Sequence, residues 1–413
     1  MDRNSYMTAI PKNEEELKEP DVMITRIREI AGLTLIKAEM ENEKLQLEAS
    51  YNDTLYEVTL YPMEFGELPP FFRIQHVLTQ EEAAELETRN IGLCVDMVFA
   101  GDALASYHLQ LKLIDAIFSG ILAVLDESAE KIISGRWVSL AAASNVSPAP
   151  RYLYTVQAVS DGEGEVWLHT HGLNRCGVTE LEILGSTQEN YGEHYNIIET
   201  MAKRILELEK PLEPEEPMFV ARLSADDVLV ATLLPWQDAL KFYDENILGG
   251  GADRGEGHNG ETSCIFVYVS EEDYARRTLS HVSVFDEVLA ENPLYMISTQ
   301  ETERMKALAL ERLPYLRRCT GNADAKILMK LGILVDDAEN SGDNREHMWF
   351  ELKEISDTSL VAELINEPYY VKKIKLGDVG EYPIHMITDW IILLPEQRIT
   401  PDDVYLLDYI DEK

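Results

Sequence analysis

Positive charge is what this chain has least of. Its 413 residues hold 36 Lys and Arg against 75 Asp and Glu, a formal net charge of -39. Such a surface repels phosphate backbones and anionic bilayers, so the composition points away from nucleic-acid and membrane partners. Two short basic clusters, Lys372-Lys373-Lys375 and Arg317-Arg318, do not reverse that sign. Cysteine is scarce as well. Cys94, Cys176, Cys264 and Cys319 are widely spaced with no C-x-x-C, which fits thiols in a reducing cytoplasm better than a disulfide framework or a zinc ribbon. The segment from Met1 to Pro20 lacks the apolar core of a signal peptide. The longest apolar stretch, Leu111 to Leu125, is too short for a bilayer and carries Asp115. Missing too are G-x-x-x-x-G-K-[ST], G-x-S-x-G and H-E-x-x-H, so NTPase, hydrolase and zinc-protease chemistry has no signal and no cofactor is expected.

Gly255-Glu256-Gly257-His258-Asn259-Gly260 matches the dinucleotide fingerprint by letter alone. That fingerprint needs a strand before it and a helix N-terminus after it, whereas here a helix precedes and the strand Cys264 to Val269 follows. Gly249 to Gly260 is therefore expected to be a mobile loop that folding does not require.

What is present is an ordinary globular composition, 45% hydrophobic, long enough for two or three domains. Alternation from Thr34 to Tyr61 predicts three short strands. Thr79-Gln80-Glu81-Glu82 is a capping box, and Asp102 caps a longer helix striped by Leu104, Tyr107, Leu111, Ile114 and Phe118. Strands are expected at 91–99, 121–125, 136–140, 151–159 and 165–171, then a helix from about Glu193. Leu206 to Pro217, rich in Pro and Glu, reads as a linker. Strands at 218–223, 227–234 and 263–269 follow, then a helix from Thr299 to Arg318. The fold class is α+β, with domains over 20–209 and 218–298, and a helix with a small β module over 299–413.

His169-Thr170-His171 with Glu180-Leu181-Glu182 is the best constellation for chemistry. In extended chain each pair points to one face, and two imidazoles plus two carboxylates suit zinc or iron, with Cys176 close by. The plainer alternative makes His169 and His171 strand-surface residues of no special role.

The last hundred residues are the most recognisable. Glu346-His347-Met348-Trp349 opens an alternating strand, Asn366-Glu367-Pro368 and Leu376-Gly377-Asp378 mark turns, and Ile387-Thr388-Asp389-Trp390 lies in a closing apolar strand. This order resembles a bacterial family known as domain of unknown function 2314. Residues 20–300 resemble, less closely, its companion, domain of unknown function 4026, through His171-Gly172-Leu173 and Gly177-Val178-Thr179-Glu180-Leu181-Glu182. Short strands of this kind can curl into a β-barrel-like module, commonly a binding module by analogy. Trp349 and Trp390 are then either core or a ligand-facing pair, with Asp389, His347 and His385 around them. The expected role is non-catalytic binding of a protein partner by a cytoplasmic protein, a basic partner being the one an acidic surface suits, and the resemblance implies an accessory or immunity type. The alternative is a metal-dependent enzyme built on His169, His171, Glu180 and Glu182.

Overall fold

The segment Asn4–Pro11, which no apolar run marks, forms a central strand of a sheet. The computed structural model describes residues 3–68, 71–208, 210–224, 227–255, 260–291, 293–336 and 345–411. Among the described residues the chain is a mixed α/β protein with three sheets. The first contains β1 (Asn4–Pro11), β2 (Leu33–Glu41), β3 (Lys44–Tyr51), β4 (Thr54–Glu64), β5 (Arg73–Ile74), β6 (Ile91–Val98), β7 (Ile121–Asp126) and β8 (Lys131–Ser134). Their order is β2-β3-β4-β6-β1-β7-β8-β5. On β1, Ser5 and Met7 are buried, but so is Thr8, so neither face gives the alternation that identifies a half-exposed strand. The helix Ala103–Ile117 forms as its stripe predicts, with Asp102 accepting from the Ala105 N–H at 3.0 Å. The Thr79 and Glu82 capping box also forms. Residues 136–140, expected as a strand, belong to a helix, Gly135–Ala142. Gly135, Val138, Ala141 and Ala142 are buried at spacings of three and four, which is a helical face.

The second sheet contains β9 (Thr155–Ser160), β10 (Glu165–His171), β11 (Glu180–Thr187), β12 (Met218–Arg222), β13 (Val228–Pro235), β14 (Thr262–Tyr268) and β15 (Leu294–Tyr295). The order is β15-β12-β13-β14-β11-β10-β9. The expected break between 20–209 and 218–298 runs through this sheet, because β11 pairs in parallel with β14 across it. Residues 1–142 and 150–297 accordingly form one compact unit, and 143–149 with 298–413 form another.

The third sheet holds β16 (Lys326–Leu334), β17 (Arg345–Ile355), β18 (Ser359–Leu364), β19 (Val379–Pro383), β20 (Ile387–Leu393) and β21 (Arg398–Ile399), in the order β19-β18-β17-β16-β20-β21. It is an open sheet rather than the expected barrel-like module. The helix Thr299–Glu311 explains the difference, since it brings Leu308 and Ala309 onto the apolar face that closure would otherwise have to hide. Among the described residues no helix is long and apolar enough to cross a membrane.

Candidate functional site

The alternation of β10 puts Trp167, His169 and His171 on one face. The Trp167 and His169 rings lie 4.1 Å apart, and the His169 and His171 rings meet edge-on at 4.9 Å. His171 Nε2 is 3.5 Å from a Glu130 carboxylate oxygen. Of the two glutamates expected beside them, Glu182 stands directly across from His169, yet the carboxylates of both are taken up by other donors. Glu180 accepts from Thr170 Oγ1 at 2.6 Å and from the Gly172 and Asn174 N–H groups at 2.9 Å each. Burial pushes its carboxyl up, and these hydrogen bonds pull it back. They fix a turn in which Gly172 has φ +111°, where a Cβ would lie 2.5 Å from Leu153 O. Glu182 accepts from Arg254 Nη2 at 2.8 and 2.7 Å, Trp167 Nε1 at 3.1 Å, Thr262 Oγ1 at 3.1 Å and Cys264 Sγ at 3.0 Å. Among the described residues no group of three or more His, Cys, Asp or Glu is placed to hold a metal ion.

His169 is not a strand-surface residue, for it has no exposure. Truncating it empties a packed space beside Trp167. His169→Ala is expected to lower stability by about 2–4 kcal/mol, the scale of a large-to-small core change. Chemical denaturation checks this, and a change within about 0.5 kcal/mol, the surface scale, would contradict it.

Arg254 gave no signal in the sequence, yet it organises this region. Its side chain is 3% exposed and ion-paired to the fully buried Glu182. Nε and Nη2 also donate to Gly249 O at 3.0 and 2.7 Å, and the guanidinium lies 4.3 Å from the Trp236 ring centroid. Residues 249–255 are thereby fastened to the second sheet, against the expectation of a mobile, dispensable loop. Residues 256–259 of that expectation lie outside the described residues. Arg254→Ala leaves a buried carboxylate without its cation and is expected to cost about 3 kcal/mol. That is the lower end for such a change, since the segment can move aside and admit water to Glu182. Urea unfolding at pH 7 measures it.

In the second unit, strand register separates the residues expected to act together. Lys330 stands opposite both Trp349 and Asp389, whereas Met329 stands opposite Phe350 and Trp390. Trp349, Lys330 and Asp389 therefore share one face, with Lys330 Nζ 5.5 Å from the Trp349 ring centroid. Trp390 is on the other face with no exposure, and its Nε1 donates to Ala309 O at 2.9 Å. Asp389 accepts from the Trp390 N–H at 2.8 Å, while burial pushes its carboxyl up to about 6. His347 is exposed and its Nδ1 is 3.1 Å from Thr388 Oγ1; His385 is exposed on the short turn Ile384–Met386.

The recognisable residues of this unit converge on one loop, 366–378. The Glu346 carboxylate accepts from the N–H groups of Tyr369, Tyr370 and Val371 at 2.7, 2.8 and 3.0 Å. Asn366 Oδ1 accepts from the Trp349 N–H at 2.8 Å, Asp336 from the Lys372 N–H at 2.6 Å, and Asp378 from the Lys375 N–H at 2.8 Å. Gly377, at φ +86°, turns the chain back so that its N–H reaches Leu364 O at 2.8 Å. Four side chains, those of Asn366 and Asp378 being the loop's own, thus hold a loop that buries Val371 and turns its two tyrosines outward. Tyr369 is 85% and Tyr370 70% exposed, and Leu376 and Val379 next to them are exposed too.

Fold and site describe a three-sheet α/β protein with a side-chain-clasped loop at its C-terminal sheet. Residues 5–148 match the family model described as "Protein of unknown function (DUF4026) N-terminal", and 156–266 match "Protein of unknown function (DUF4026) C-terminal". Residues 316–400 match "Uncharacterized protein conserved in bacteria (DUF2314)". Both resemblances drawn from the sequence are present, with the companion family covering the greater length and taking in β1. Neither a curated protein nor a solved structure shows significant similarity to the chain.

Proposed function

We propose that the chain is a non-catalytic protein-binding protein, of accessory type, and that loop 366–378 is a contact surface for its partner. The clasped loop is the observation that supports this reading. Large exposed aromatic side chains add nothing to a core. Holding their N–H groups with Glu346, and the rest of the loop with Asp336, Asn366 and Asp378, removes beforehand the ordering cost that binding would otherwise carry. Tyrosine is also among the side chains that interfaces favour, because it offers area with few rotatable bonds. Of the residues with most claim to catalysis, His169, Glu180 and Glu182 are buried and His171 is half-buried.

The test places a photo-crosslinking amino acid at Tyr370 of the full chain in its host cell, with the same probe at exposed Glu272 as control. A discrete protein adduct specific to position 370 is expected. The purified partner should bind the Tyr369→Ala variant about thirtyfold more weakly, the loss of one hot-spot aromatic worth ~2 kcal/mol. Equal adducts at both positions, or unchanged affinity, would remove the loop from the function.

A further inference from the structure

The first unit carries another surface. Along β3 and β4, Leu45, Leu47, Tyr56, Val58 and Leu60 enter the core. Gln46, Glu48, Glu57, Thr59 and Tyr61 alternate onto the opposite face, where they are half-buried or exposed. Register sets Glu48 directly across from Glu57 on this face. Side chains so placed have Cβ atoms about 4.5–5.5 Å apart, and like charges there destabilise the sheet. Lys37 stands across from Glu48 on the other side, but its ammonium is ion-paired with Glu39 at 3.0 Å. Asp96 lies in the next row, between Thr59 and Tyr6.

Two further observations point to a cationic, partly apolar ligand. The Tyr61 ring already holds an ammonium group, that of Lys44, with Nζ 4.0 Å from its centroid. The carboxylates are also interleaved with exposed apolar area, Leu55 at 64%, Val98 at 42% and Tyr6 at 37%. Lysine and arginine present this combination, an aliphatic stem ending in a cation. A net charge of -39 draws such a segment toward the protein from a distance.

We infer that this open face, centred on Glu48, Glu57 and Asp96, binds a lysine- or arginine-rich segment of a protein partner. Its cations meet the three carboxylates, and its stems cover Leu55, Val98 and Tyr6. The inference does not depend on loop 366–378, which belongs to the other unit.

Any strongly acidic protein attracts polycations, so the test must separate a site from a cloud. The probe is a fluorescein-labelled Lys-Val-Lys-Val-Lys-Val-Lys peptide titrated onto the full chain at near-physiological ionic strength. Glu48→Gln with Glu57→Gln is compared with Glu271→Gln with Glu272→Gln, which removes the same two charges from an exposed helix. The first pair should weaken binding about tenfold and the second less than about twofold, since only local charges act within a Debye length of ~8 Å. Relief of the opposed carboxylates should leave the first pair folded, with an unfolding midpoint no lower than the parent's. Glu57→Lys alone should reproduce the loss of binding. Equal weakening by both pairs, or none by the first, overturns the inference.

Discussion

Arg175→Ala is expected to destabilise the first unit by about 3–5 kcal/mol, the cost of leaving one member of a buried ion pair without the other. Arg175 is 1% exposed and Asp126 not at all. The pair is bidentate, Nη1 to Oδ1 at 2.8 Å and Nη2 to Oδ2 at 2.9 Å. The same guanidinium donates to Ser5 Oγ on β1 and to Leu153 O. Ser5 in turn donates to Gln110 of the long helix, which donates back to the Ser5 and Val95 carbonyls. Removing Arg175 therefore exposes a buried carboxylate to an apolar surrounding and slackens a network joining β1, β6, β7 and the helix. The joint replacement Arg175→Met with Asp126→Leu should recover much of the loss, because it buries no unpaired charge. Urea unfolding of the three proteins decides it. A loss below about 1 kcal/mol for Arg175→Ala would mean that water reaches Asp126 in the native state.

Arg175 also shows where the sequence stops being legible. The flanking Gly172 and Glu180 stood out, and Glu180 invited a metal reading because its residue type and spacing suit one. Its actual use is to shape the turn that delivers Arg175 into the first sheet, and Asp126 lies 49 residues away. The pairing of Arg254 with Glu182, 72 residues apart, left no signal for the same reason. Long-range ion pairs leave no period and no spacing. Local signals fared better: the Asp102 cap, the Thr79 capping box and the strand opened by Glu346 to Trp349 took the form the residues implied, and the apolar run at Ile387 became β20. Between these extremes lie β1 and Gly135–Ala142. Tertiary packing buries both faces of the one beyond Tyr6, and it selects a helix where Trp137 and Val138 favour strand by propensity alone. The 366–378 loop was visible as turn residues, but that Glu346 would close over it depended on register.

Trp390→Ala is expected to destabilise the second unit by about 3–5 kcal/mol, while leaving the first unit's transition where it was. The indole has no exposure, and it lies on the face where Met329 and Phe350 stand across from each other. Truncation empties the largest space in that layer and leaves Ala309 O without the indole N–H. Trp390→Phe keeps most of the volume and loses only the donor, so its cost should be nearer 1–2 kcal/mol, that of a buried acceptor left unsatisfied. Trp349→Ala, on the opposite and half-open face, should cost less than either, because its ring is already in contact with water on one side. Differential scanning calorimetry of the full chain can follow this, since two compact units can unfold in separate transitions. An unshifted transition in Trp390→Ala, with loss of the crosslinked partner, would place the indole at a contact surface instead of a core. Equal costs for Trp349→Ala and Trp390→Ala would mean that the register does not divide the two rings between faces.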